Sequence, residues 1–180
     1  SKEWRDSLAL KVHRYGAIYH NRAQKLKDKQ LYLVAARLYN FYLDRFGSYP
    51  SALEIKYNLA ELEYKIENYV RSSNLFTEVL QETKNTKSRE SSASGMIDTA
   101  IDYVSKSNLP KVENLGKLSA ATAIPAPKKF LMDKISVFTK YYPKAKETAS
   151  LRYDYAYILF EYGHYEKSIK KFKPIISEYP

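Results

Sequence analysis

The chain has no cysteine, which removes disulfides, thiol nucleophiles and thiolate metal sites together. It has three histidines, and none stands beside a partner pattern. His13 and His20 are two turns apart on one expected helix, too far to share a metal without other ligands. His164 lies in Tyr162-Gly163-His164-Tyr165, which reads as a turn. No glycine-rich phosphate loop, nucleophile elbow or carboxylate cluster is present. The expectation is a chain that is not an enzyme and uses neither metal nor cofactor. Breakers are also scarce, with five Gly and seven Pro in 180 residues, which favours packed helices. No window approaches the roughly 18 consecutive apolar residues of a spanning helix, and no targeting segment stands at the start. The absence of cysteine fits an oxidising compartment.

What is present is apolar and aromatic. Hydrophobic residues make up 44% of the chain, with 18 Tyr against one Trp, ample for a continuous core. The 30 Lys and Arg against 20 Asp and Glu give a net charge of +10. That excess raises nucleic acid or anionic lipid as an alternative class of partner. Arg5, Lys11, Arg14, Arg22 and Lys25 form one candidate stripe. A nucleic-acid surface would need these charges to converge; Glu residues interleaved with the cations of the chain read as a solvated exterior, which makes nucleic acid the weaker choice and leaves an acidic protein partner compatible.

One spacing recurs. Tyr32-Ala35-Tyr39-Leu43, Tyr69-Ser72-Phe76-Leu80 and Tyr165-Ser168-Phe172-Ile176 each advance by steps of 3, 4 and 4, which place four side chains on one helical face. The small residue marks where a second helix crosses closely. A partner small residue, Ala23, Ala60 or Ala156, stands 12 positions earlier in each case. The sets are separated by 72 − 35 = 37 and 168 − 72 = 96 residues, a gap that accommodates one further, divergent pair. Its second helix is expected at 128–142, with a stripe of Leu131, Ile135, Phe138 and Tyr142. The surplus is expected as an insertion at 108–128, where Leu109, Val112, Leu115, Leu118 and Ile124 supply apolar content for folding back onto the array.

Eight helices in four antiparallel pairs follow, at about 2–46, 51–82, 87–142 and 144–178, all in one array over 1–180. The first helix, about 2–28, is expected to bury Trp4, Leu8, Val12, Tyr15, Tyr19, Ala23 and Leu26. The chain begins at Ser1 and stops at Tyr179-Pro180 just after an apolar helical pattern, so a segment of a longer polypeptide is expected.

This pattern resembles the tetratricopeptide repeat, a helix pair of about 34 residues. The best copy is 53–86, in which Tyr57-Asn58-Leu59-Ala60, Tyr64, Tyr69, Ser72, Phe76 and Val79-Leu80 fall in the family's places. From Ala149 onward Ala156, Phe160, Gly163, Tyr165, Ser168 and Phe172 repeat it. The third pair departs, with Gly95 and Ser91-Ser92-Ala93-Ser94 in place of aromatics. The Tyr-Pro phrases at Tyr49-Pro50, Tyr142-Pro143 and Tyr179-Pro180 are similar to those of bacterial envelope members, which implies a periplasmic or envelope location with the cytoplasm as alternative.

The resemblance implies an all-α, right-handed solenoid of about four pairs whose concave wall is built by the first helix of each. It implies a protein-interaction scaffold that holds a peptide or partner helix there. The groove residues implied are Glu54, Tyr57, Glu61, Tyr64 and Lys65 in the second pair, Tyr153, Tyr157, Phe160 and Glu161 in the fourth, and His20 and Gln24 in the first. The Lys, Asn and Arg set with which some members clamp a C-terminal carboxylate is missing, and Glu54 and Glu61 would repel an acidic peptide.

Overall fold

The 12-residue offset between small residues is a hydrogen bond in two pairs. Ser72 Oγ donates to the Ala60 carbonyl at 2.7 Å, and Ser168 Oγ donates to the Ala156 carbonyl at 2.8 Å. All four residues are buried, as are Ala23 and Ala35, which hold the same positions in the first pair without a hydroxyl. A close crossing needs side chains this small, because anything longer separates the two backbones.

The computed structural model describes residues 2–113, 116–117 and 119–178. Among them the chain is all-α, with eight helices and no strand: α1 Lys2–Leu26, α2 Lys29–Phe46, α3 Ala52–Lys65, α4 Tyr69–Glu82, α5 Thr86–Lys106, α6 Ala126–Tyr141, α7 Lys146–Glu161 and α8 Tyr165–Glu178. None of these helices is long and apolar enough to cross a membrane. Tyr179-Pro180, the third of the Tyr-Pro phrases, lies outside the described residues. The chain divides into two units, Ser1–Thr99 and Ala100–Pro180.

In the first unit α1 packs on α2, α2 on α3 and α3 on α4. The start of α2 is capped by Asp28, whose carboxylate accepts from the Gln30 and Leu31 amides at 2.8 and 3.2 Å, which satisfies two otherwise orphaned donors. The seam with α2 corrects the expected stripe of α1. Ala9, Val12, Gly16, His20 and Ala23 are buried, whereas Trp4 is 67% exposed and Tyr15 and Leu26 also face solvent. The reason is the bulk of α2, which brings Tyr32, Tyr39, Tyr42 and Phe46 to the seam. A Cβ at Gly16 would stand 2.5 Å from the Tyr39 ring, so α1 presents its smallest residues there and its large ones turn outward. Tyr49, after α2, donates to Asp6 at 2.6 Å and ties that turn to the first turns of α1.

The α3–α4 turn closes with the Asn68 amide donating to the Glu63 carbonyl at 2.8 Å and Glu67 at φ 66°, a left-handed helix terminus. Glu63 itself is buried and meets Arg71 at 3.2 Å and Asn68 Nδ2 at 2.9 Å. After α4, Ser73 Oγ donates to the Met96 carbonyl at 2.8 Å. Phe76 lies on Gly95, where any Cβ would come within 2.9 Å of its ring. Gly95, with the buried Ser92 and Ala93 beside it, is therefore a contact surface, made small so that α5 can approach α4.

In the second unit α6 packs on α7 and α7 on α8. Leu131, Ile135 and Phe138 are buried and Tyr142 is half-buried; Phe130 meets Tyr103, at the end of α5, edge to face at 5.8 Å. Around Thr122 the connection between α5 and α6 meets the α7–α8 turn within the unit. The Thr122 amide donates to the Tyr162 carbonyl at 2.9 Å, and His164 Nε2 lies 3.0 Å from the Thr122 carbonyl. Leu109, Val112 and Ile124 are half-buried; Leu115 and Leu118 lie outside the described residues. Ile176, expected to close the fourth pair, is instead 70% exposed. Its counterpart Leu80 is fully buried where α5 follows α4, and α8 has no such cover among the described residues.

Candidate functional site

An aromatic pair repeats along the chain at the positions expected to line a groove. His20 meets Tyr39 at 5.9 Å and 78°, Tyr57 meets Phe76 at 5.3 Å and 72°, and Tyr153 meets Phe172 at 5.4 Å and 61°. Each ring stands on the first helix of a pair and leans edge-on against an aromatic of the second, the geometry favoured by ring quadrupoles. These rings help to hold their own pairs together, which limits what they can offer a partner, and the limit differs from pair to pair.

In the first pair the groove assignment is corrected. His20 is only 6% exposed, with the Tyr39 hydroxyl 3.4 Å from Nδ1 and Gln24 Nε2 3.1 Å from its own Nε2. It belongs to the α1–α2 seam, and of the two expected residues only Gln24 reaches the surface. Burial holds the His20 imidazole below its ordinary value of 6.5. The unfolded chain therefore accepts a proton that the folded chain resists. This contribution to stability is complete above about pH 6.5 and is lost as pH falls below it. The urea midpoint of the protein is expected to drop from pH 7.5 to pH 5.5 by more than that of His20→Gln, with no difference in slope between the two proteins meaning that His20 is not the group responsible.

In the second pair the expected residues come together. Tyr57, Glu61, Tyr64 and Lys65 of α3 line an open depression of about 330 Å³ whose far wall is Gly95, Asp98 and Thr99 of α5. Tyr57 and Glu54 also line an adjoining depression of about 350 Å³, bounded by Lys87, Ser88 and Ser91 of α5. Both form one furrow between α3 and α5 with Tyr57 at its middle. Tyr64 is braced edge-on by Tyr69 at 5.8 Å, and Lys65 Nζ sits 5.5 Å above the Tyr64 ring.

Three carboxylates, Glu54, Glu61 and Asp98, face the furrow against Lys65 and Lys87, an acidic strip on a chain of net charge +10. Burial raises the Glu61 carboxyl above the usual carboxylate range, and Lys65 partly offsets this. Burial and then the Glu61 charge raise the Tyr57 hydroxyl. Beneath them Tyr39 is pushed up to about 12 by burial first and by Glu54 next. Such a strip can pair with a cationic ligand, and its rings offer broad faces at small entropic cost. The α5 wall was not anticipated, because Ser88, Ser91, Gly95 and Asp98 carry no aromatic signal. Their spacing of 3, 4 and 3, all small or polar, was the available sign of a one-sided face.

In the fourth pair the rings form a ladder on α7. Tyr153 stacks on Tyr157 at 6.1 Å and 12°, Tyr157 tilts towards Phe160 at 6.2 Å, and Phe160 meets Tyr165 at 5.6 Å. Tyr153 and Tyr157 are exposed, but Phe160 and Glu161 are covered. A Cβ at Gly116 would lie 3.1 Å from the Phe160 ring, and Lys128 pairs with Glu161 while its ammonium sits 5.1 Å from the Tyr162 ring. Gly116 and Lys128 thus occupy the end of this face, and Phe160 and Glu161 are withdrawn from the expected groove. Among the described residues no three His, Asp or Glu side chains converge on a possible metal position. No family model, no curated protein and no solved structure matches this chain.

Proposed function

We propose that the chain is a protein-interaction scaffold of the tetratricopeptide type, in which helix pairs repeat and the furrow between α3 and α5 takes a peptide or helical segment of a partner. The recurring helix pairs, with the Ser72–Ala60 and Ser168–Ala156 hydrogen bonds at one offset, support the repeat reading. The observation that carries the binding reading is Tyr57, shared by two adjoining depressions and flanked along the furrow by Glu54, Glu61 and Asp98. Its occupant is a segment that combines basic and apolar side chains, since carboxylates outnumber cations there and an acidic ligand would be repelled.

A random peptide library displayed on phage and panned on the protein tests this. Enriched sequences are expected to combine Lys or Arg with apolar residues and to bind Glu61→Arg at least about tenfold more weakly, since the substitution replaces a half-buried attraction by repulsion. Lys171→Glu, on the other unit, is expected to leave their affinity unchanged. Equal binding to wild type and Glu61→Arg would remove the furrow as the site.

A further inference from the structure

Between Ser7 and Lys27 the chain has no carboxylate, while Lys11, Arg14, Arg22, Lys25 and Lys27 are all exposed. Lys11, Arg14, Ile18, Arg22 and Lys25 advance by steps of 3, 4, 4 and 3, so they share one face of α1, roughly 21 Å long at about 1.5 Å per residue. Trp4, Tyr15, Ile18 and Leu26 are exposed on or beside the same face. The seam with α2 runs along the opposite side, through Ala9, Val12, Gly16, His20 and Ala23.

We infer that this outer face of α1 docks on an anionic phospholipid surface. Three occupants compete for it, and the composition separates them. Burial against another helix pair would strand a row of cations with no carboxylate among residues 7–27 to pair them, at a desolvation cost that the few apolar side chains do not offset. A nucleic-acid backbone would match the cations but leave Ile18 and Leu26 against phosphate and sugar. An anionic bilayer surface satisfies both classes. Lys and Arg heads reach lipid phosphates while their stems lie along the apolar boundary. Trp, Tyr, Ile and Leu enter the headgroup region, where an amphipathic helix lies in the plane of the surface. This assignment is independent of the α3–α5 furrow.

Trp4 is the single tryptophan, and it serves as the reporter. Its emission is expected to shift to shorter wavelength on adding vesicles of phosphatidylcholine and phosphatidylglycerol, but not vesicles of phosphatidylcholine alone. Added salt should weaken the response. Lys11→Glu with Arg22→Glu is expected to lower vesicle affinity about tenfold or more, and Ile18→Ser with Leu26→Ser by several-fold. All four positions are exposed, and circular dichroism on each variant confirms that the helices remain. The absence of any shift with anionic vesicles overturns the inference. So does duplex DNA that binds at least as tightly as the vesicles with Ile18→Ser, Leu26→Ser binding unaffected, since that result assigns the face to polyanions.

Discussion

Phe76→Ala is expected to destabilise the Ser1–Thr99 unit by about 3–5 kcal/mol. The ring is buried, set edge-on to Tyr57 at 5.3 Å and seated against Gly95. Its removal leaves a void that three helices line. Collapse into that void is resisted, because α3 is fastened to α4 by the Ser72–Ala60 hydrogen bond and α4 to α5 by the Ser73–Met96 bond. The effect reads directly in urea unfolding of that unit, or as a melting shift of about 4–8 °C per kcal/mol for a unit of this size. A loss below about 1 kcal/mol would show that α5 does not press on Phe76. Tyr57 loses its brace in the same variant, so peptide binding in the furrow should fall even where the protein remains folded.

The second large effect is at the helix crossing. Ala60→Leu places a branched side chain where Ala60 is fully buried and Ser72 reaches its carbonyl. Overpacking costs about 1–3 kcal/mol, and the broken hydrogen bond adds about 1 kcal/mol. Ala60→Ser, close in volume, is expected to cost less than about 1 kcal/mol. Ala156→Leu repeats the experiment in the other unit, where Ser168 and Ala156 form the same bond. If the two positions are equivalent, the two leucine variants lose similar stability in urea; a loss confined to one of them would break the equivalence on which the repeat reading rests.

Much of the helical organisation was legible because its determinants are local and periodic. The 12-residue offset between small residues marks the crossings in the sequence itself, and in two pairs that offset is a side-chain hydrogen bond. A helix end was legible where the turn chemistry is written in the chain, as at Gly163, whose φ of 75° suits glycine; at Asp28 the first helix was expected to run on through the residue that instead caps α2. The failures have one physical cause. A periodic stripe shows that a face is one-sided, but not which neighbour fills it. In α1 the large residues look like the core. The seam instead took Gly16, His20 and Ala23, because α2 already supplies the bulk through Tyr39. Ile176 has the right spacing and no covering helix among the described residues.

The candidate site was half legible for the same reason. The α3 wall of the furrow, Glu54 to Lys65, follows from the resemblance. The α5 wall is made by Ser88, Ser91, Gly95 and Asp98, residues whose contribution is smallness and polarity and whose place is fixed only by contact with α4. Phe160 and Glu161 were assigned to open groove by the family resemblance alone. What covers them is Lys128 and Gly116, distant in sequence and without periodicity, so no pattern in α7 announces them. His20 illustrates the opposite error. It occupies the position of Tyr57 and Tyr153, yet Tyr39 and Gln24 draw it into the seam.

Occupation of the furrow between α3 and α5 by a peptide, as proposed, can be read from a map of amide chemical shifts. With 15N-labelled protein titrated with a peptide selected from the displayed library, the largest shifts are expected in 54–65 and 87–99. Residues 146–178 should stay unmoved. Shifts concentrated on α7 and α8, or on the outer face of α1, with 54–65 and 87–99 unchanged, would contradict it.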